Sequence, residues 1–169
     1  MATGPTLAGF LSFVRNVMGI NAATLPDSSI YLGMSLAVAL GIVNPQLRCI
    51  CVPQIDGADV ALNPLIPGVT VMTIYDMAVY YLAGDNLINF AQDQNGKCFF
   101  TDMRKELNIN GFASGVVSAA SDEATSVSLV VQEAAAHFTL ANIQNLKTPW
   151  GRQYLGLAQS YGRTTWGIS

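Results

Sequence analysis

Apolar positions recur at helical spacing over several stretches of the chain and lose that spacing over two long ones. The clearest stretch is Thr73 to Gln94, where Ile74, Met77, Ala78, Tyr81, Leu82 and Ile88 share one helix face. A second face, made of Tyr75, Val79, Tyr80 and Leu87, is also apolar. The segment is therefore expected to be a central helix with neighbours on more than one side. Thr73 suits the cap, Asp76 places a carboxylate in the first turn, and Asn95-Gly96 is the expected stop.

The same reading places a first helix from Pro5 to Val17, with Leu7, Phe10, Leu11, Val14, Val17 and Met18 as its stripe and Gly19 as its end. A second begins near Asp27 or Ser28 and runs to Val43, stopped by Asn44-Pro45. Its interior is apolar nearly all round, which predicts burial on most sides, and Gly33, Ala37, Ala39 and Gly41 offer flat surfaces for close packing. A short helix from Thr101 to Asn108, capped by Thr101, is anchored by Phe99, Phe100, Met103 and Leu107. Two more follow in series. Thr139 opens one that reaches Leu146, and Thr148-Pro149 opens another, in which Tyr154, Leu155, Ala158 and Tyr161 share a face and Gly162 closes the helix.

Residues 45–70 break the pattern with several prolines and glycines, apart from a short strand expected at Arg48 to Val52. Residues 110–131 break it with small and polar residues, and Ser126 to Val131 alternates as a strand would. Both read as arms, since long irregular segments in a compact domain usually reach a partner. The expected fold is mainly α: one domain over 1–169, a small helical bundle with long loops or arms and room for a short β-hairpin.

Composition adds one constraint. Charged residues make up 11% of the chain, against roughly a quarter in an ordinary soluble domain, while 51% are hydrophobic. That is too little charge to cover a lone subunit, so other chains or a membrane are expected to cover part of the surface. The best membrane candidate, Ser28 to Leu47, contains Ser, Asn, Pro and Gln and has an apolar heart well short of the roughly 20 residues needed to span. The N-terminus shows no basic segment ahead of an apolar block, so no export signal is expected. Protein partners remain.

A net charge of -3 and scattered basic residues, with Arg104-Lys105 the only adjacent pair, argue against a grip on nucleic-acid phosphates. DNA sliding past such a surface is compatible with this charge. Cys49, Cys51 and Cys98 are expected to be reduced thiols, and the Cys-x-Cys spacing with His137 does not make a zinc set. Asp56-Gly57-Ala58-Asp59 lacks the later ligands of a calcium loop. His137 has no Gly-x-Ser-x-Gly elbow beside it. Asp85, Asp93, Asp102 and Glu106 read as helix-end and solvent-facing charge, and Phe90, Phe99 and Phe100 as core. No catalytic, cofactor or metal residue is expected.

The string LANIQNLKTPWGRQYL at Leu140 to Leu155, with Ala158 to Gly162 and Trp166-Gly167, resembles structural proteins of tailed bacteriophages that sit at the head-to-tail junction. The likeness extends to Ala78-Val79-Tyr80, to LAGDNLI at Leu82 to Ile88 and to Ser121 to Ser126. Size and helical content are similar to those of the adaptor, or head-completion, proteins. The resemblance implies a non-enzymatic virion protein, present in the host cytoplasm during assembly. It would form a ring, commonly of twelve subunits, between the portal protein and a tail or neck protein. DNA would pass through it non-specifically, without membrane or cofactor.

On that resemblance, contacts with neighbours or portal are expected from Asp122, Glu123, Thr125, Val127, Leu129 and Val131 in the second arm and from Asp56 and Asp59 in the first. Trp150, Arg152 and Trp166 are expected to fix the C-terminal region against a neighbour, although both tryptophans equally suit the subunit's own core. A tail-terminator, tail-tube or neck subunit is the alternative, and would more often carry a substantial β-sheet. A small enzyme or ligand-binding domain using His137 or the carboxylates is the third reading.

Overall fold

The computed structural model describes residues 4–49, 73–94, 96–109, 120–122, 125–127 and 145–162. Helices α1 (Leu7–Asn16), α2 (Ile30–Ile42), α3 (Ile74–Phe90), α4 (Phe99–Glu106) and α5 (Pro149–Gly162) form a small bundle, and a 3-10 helix (Pro45–Cys49) follows α2. α3 is its axis. Twelve of its 17 residues are buried, and α1, α2, the 3-10 helix, α4 and α5 all pack against it. Its start is a reciprocal capping box: the Thr73 hydroxyl accepts the Asp76 N–H at 3.2 Å, and the Asp76 carboxylate accepts the Thr73 N–H at 3.0 Å.

α1 seats on α3 through aromatic rings. Phe10, Phe13 and Tyr80 stack with centroids 6.0 to 6.3 Å apart, and the Tyr80 hydroxyl accepts the Thr6 N–H at 3.1 Å. Burial pushes that hydroxyl's pKa above its ordinary value, more than its bonds to Thr6 pull it down. Gly9 makes the approach possible, because a Cβ there would lie 2.3 Å from the Tyr80 oxygen. The helix starts at Leu7 with Thr6 as cap, two residues later than the proline suggested. Gly19, at φ +70°, then turns the chain out as expected.

Three boundaries differ from the sequence reading, two of them because distant side chains do the capping. α2 begins at Ile30 after Ser29, since Asp27 is taken by an ion pair with Arg15, whose guanidinium also donates to the carbonyls of Ile20 and Leu25 at 2.6 Å each. α3 ends at Phe90, short of Gln94: Arg104 donates to the Ile88 carbonyl at 2.7 Å and to that of Ala91, satisfying the helix C-terminus with a cation. Asp93, released from the helix, accepts the N–H groups of Phe100 at 2.7 Å and Thr101 at 2.9 Å. It also accepts the Thr101 hydroxyl at 2.6 Å. Asp93 therefore caps α4, and Thr101 sits inside the first turn rather than before it.

What burial Asp93 has would raise its pKa; the bonds from Thr101 and Phe100, with Arg104 nearby, together hold it below the usual carboxylate range. Asp93→Ala is expected to lower unfolding stability by about 1 kcal/mol, read as an earlier urea midpoint. An unchanged midpoint would mean that α4 does not depend on this cap.

The expected strand at Arg48 to Val52 is not formed at its start, since Arg48 and Cys49 belong to the 3-10 helix. Leu47 is buried there, and the Arg48 guanidinium lies 4.5 Å from the Tyr75 ring centroid. The first five residues of the expected first arm are thus part of the bundle. Residues 50–70 of that arm lie outside the described residues, as do 139–144 of the expected Thr139 helix.

The second arm carries a short antiparallel pair, β1 (Ala120–Asp122) and β2 (Thr125–Val127), in register Ala120↔Val127, Ser121↔Ser126 and Asp122↔Thr125. This is the hairpin the sequence left room for, although it begins on the small-residue side.

Candidate functional site

Two features stand out from ordinary packing: a polar tie between α3 and α5, and the outer face of α2. The tie is built on Asp85, which falls in the middle of α3's buried stripe and is 1% exposed. Its Oδ1 accepts the Thr148 hydroxyl at 2.5 Å, and its Oδ2 accepts the Asn89 amide at 3.3 Å. The Thr148 oxygen in turn accepts the Gly151 N–H at 2.9 Å, capping α5 as expected. One threonine thus starts α5 and fastens it to the central helix.

Gly151 lets the two elements meet. A Cβ at that position would lie 2.1 Å from the Asn145 carbonyl oxygen and 2.8 Å from Asp85 Oδ1. Burial raises the Asp85 pKa to about 6, opposed by the bond from Thr148. A carboxyl near neutrality is often a general base. Here both oxygens are held inside the chain and closed to solvent, so the group acts as a strut between helices.

The cations have a similar internal role. Lys147 donates to the Ile109 carbonyl at 2.6 Å, and Arg152 to that of Leu146 at 3.2 Å. Lys97 donates to the Ala23 carbonyl, and Lys105 lies 3.6 Å from Asp102. With Arg15, Arg48 and Arg104 described above, every described Lys and Arg has a partner within the chain. Few are left to bind phosphates.

α2 behaves in the opposite way. Of its 13 residues only Leu32, Ser35, Leu36 and Ala39 are buried, so the expected burial on most sides is not met among the described residues. The outward arc holds Ile30, Gly33, Met34, Ala37, Val38, Leu40, Gly41 and Ile42, all exposed and apolar; its one hydroxyl belongs to Tyr31, half-buried against the core at the edge of the arc. Among the described residues no helix is long and apolar enough to cross a membrane.

Of the expected interface residues, Asp122, Thr125 and Val127 stand on the hairpin, the first two as a cross-strand pair. Trp150 is half-buried against the subunit's own core, and Arg152 is exposed one turn into α5. Glu123, Leu129, Val131, Asp56, Asp59 and Trp166 lie outside the described residues. So do Cys51 and His137. Cys98 is an exposed free thiol, and no group of three or more possible metal ligands occurs among the described residues.

The sequence reading misplaced two residues of α3: Phe90, expected in the core, is exposed at the helix's end, and Asp85 is buried, where solvent-facing charge was expected. The signal was present, because position 85 continues the apolar row of Ala78, Tyr81, Leu82 and Ile88.

The chain matches no protein-family model, no curated protein and no solved structure.

Proposed function

We propose that the chain is a structural subunit of a connector ring at the head-to-tail junction of a tailed bacteriophage. Copies of it would stand between the portal and a tail or neck protein, around a channel through which DNA passes. The observation that carries the assembled-subunit part of this reading is the outer face of α2, a helix surface whose exposed residues are all apolar in a chain with 11% charged residues. Such a face belongs against protein. The resemblance of the Thr148 to Leu155 run to junction proteins supplies the setting, and the helical bundle suits an adaptor better than a sheet-rich tail-tube subunit. The internal pairing of the described cations suits a channel wall that does not hold DNA. No step in this role calls for catalysis, cofactor or membrane, and the place of action is the virion, after assembly in the host cytoplasm.

The test is the particle mass of the purified protein, alone and mixed with a portal protein, by light scattering or native mass spectrometry. Ring-sized particles in either sample, many times the 18.0 kDa of one chain, are the expected result. A protein that never associates with the portal and never exceeds a pair overturns the ring.

A further inference from the structure

We infer that the outer face of α2 docks onto the same face of a second copy of this chain, the ridge of one helix lying in the groove of the other. Ile30, Met34, Val38 and Ile42 follow one another at four-residue spacing and are exposed by 69, 46, 38 and 58%. They form a ridge of large side chains. Beside it, at the same spacing, run Gly33, Ala37 and Gly41, also exposed, and Leu40 stands on their far side at 37%. That row is a groove. Ridges along four-residue rows pack into like grooves at a crossing of about -50°, and here one helix supplies both halves of the fit. A two-fold axis through Ala37 sets each ridge in the opposite groove.

Among the described residues the two glycines have no packing partner. A Cβ added at Gly33 or Gly41 meets nothing within 4 Å, whereas glycine in a helix interior costs about 1 kcal/mol relative to alanine. Their flatness serves something that comes from outside. The exposed parts of the face amount to roughly 500 Å² per copy, so a pair buries ~1,000 Å², the threshold for a specific contact with good complementarity.

Other occupants fit less well. The face has no charge to meet a charged partner, and α2 carries no Lys or Arg to hold it on anionic lipid. At 13 residues it is about 20 Å long, short of the ~30 Å of a bilayer core. The inference rests on reading the chain as a subunit of a homomeric assembly and names one of its surfaces. A two-fold contact gives a pair, so ring closure falls to other surfaces.

The test uses the full chain and a Gly33→Leu, Gly41→Leu double variant, which fills the groove. Neither position meets a described residue and leucine is the better helix former, so the circular dichroism of the variant should match that of the wild type. Wild type is expected at twice the 18.0 kDa chain mass or, where rings form, at a multiple of that pair, and the variant at half the wild-type mass or less, with pairing weakened at least about 100-fold. In a background with Cys49, Cys51 and Cys98 changed to Ser, Ala37→Cys is expected to give a covalent pair under mild oxidation, since it lies at the axis.

A monomeric wild type at ~100 µM, well above a micromolar dissociation constant, overturns the inference, with the face then covered by the chain's own residues or by a different protein. So does a pair whose mass survives the double variant and fails to cross-link. Portal binding separates the two readings. A non-pairing chain that forms rings on the portal sinks the pair alone, and a cross-linked pair that ignores the portal sinks the ring alone.

Discussion

Gly151→Ala should lower the unfolding free energy by about 3 kcal/mol, the upper range for an inserted methyl in a packed site, and the melting temperature by roughly 6 to 12 °C for a chain of this size. The new Cβ would fall 2.1 Å from the Asn145 carbonyl oxygen and 2.8 Å from Asp85 Oδ1. The first obstacle is backbone and the second a carboxylate bonded to Thr148. Neither can swing away cheaply. α5 would have to lift from α3, stretching the Asp85 to Thr148 bond and loosening the half-buried Trp150, Tyr154 and Tyr161 that pack against the core. Gly156→Ala, in the same helix, is the control. A Cβ at Gly156 meets nothing within 4 Å, so it should be neutral or stabilising by up to about 1 kcal/mol. Equal melting temperatures for the two variants would show that the α3–α5 seat is not close-packed.

The contrast between these glycines also marks what the sequence could convey. Helix existence was legible wherever a stripe of large apolar residues recurred, because burying that stripe is what holds a helix in the bundle. α3 was read as the axis from its two apolar faces, and Thr73 with Asp76 announced its start. Caps supplied from far along the chain were not legible. Asp93 reaching Phe100 and Thr101, and Arg104 reaching back to Ile88, depend on the turn through Gly96 at φ +82°. Local spacing favoured Thr101 and a longer α3. α2 was legible as a helix, but its uniform apolarity gave no phase, so sequence alone could not say which side faces the core. Its outward row of Gly33, Ala37 and Gly41 gained meaning only once no described residue proved to stand beside the two glycines. Asp85 was misread for the reverse reason: a charge invites a surface assignment, and its partner Thr148 is 63 residues away in sequence.

That buried carboxyl sets the second large effect, a loss of stability as pH rises from about 4 to about 7. Burial raises the Asp85 pKa from 3.8 to about 6 in the folded chain, so the fold binds the proton more tightly than the unfolded chain does. Its contribution is fully present below the unfolded value and disappears as pH climbs through the folded one. A shift of this size corresponds to about 3 kcal/mol between the two ends of the window. Asp93 has the opposite sign, because its pKa is lowered; its contribution is present above the unfolded carboxylate value and is lost as pH falls through the folded one. The two can be separated by substitution. Asp85→Asn keeps the shape, removes the proton and should flatten the slope between pH 4 and 7 while leaving the acid limb in place. Thr148→Val removes the bond that favours the charged form, so the fall should extend to higher pH, on top of a constant loss from the missing α5 cap. Urea titrations at half-unit pH steps on the three proteins read all of this directly. A wild-type stability that rises through the window relative to Asp85→Asn would mean that Asp85 is stabilised as the anion, and that the α3–α5 tie is held by charge rather than by a shared proton.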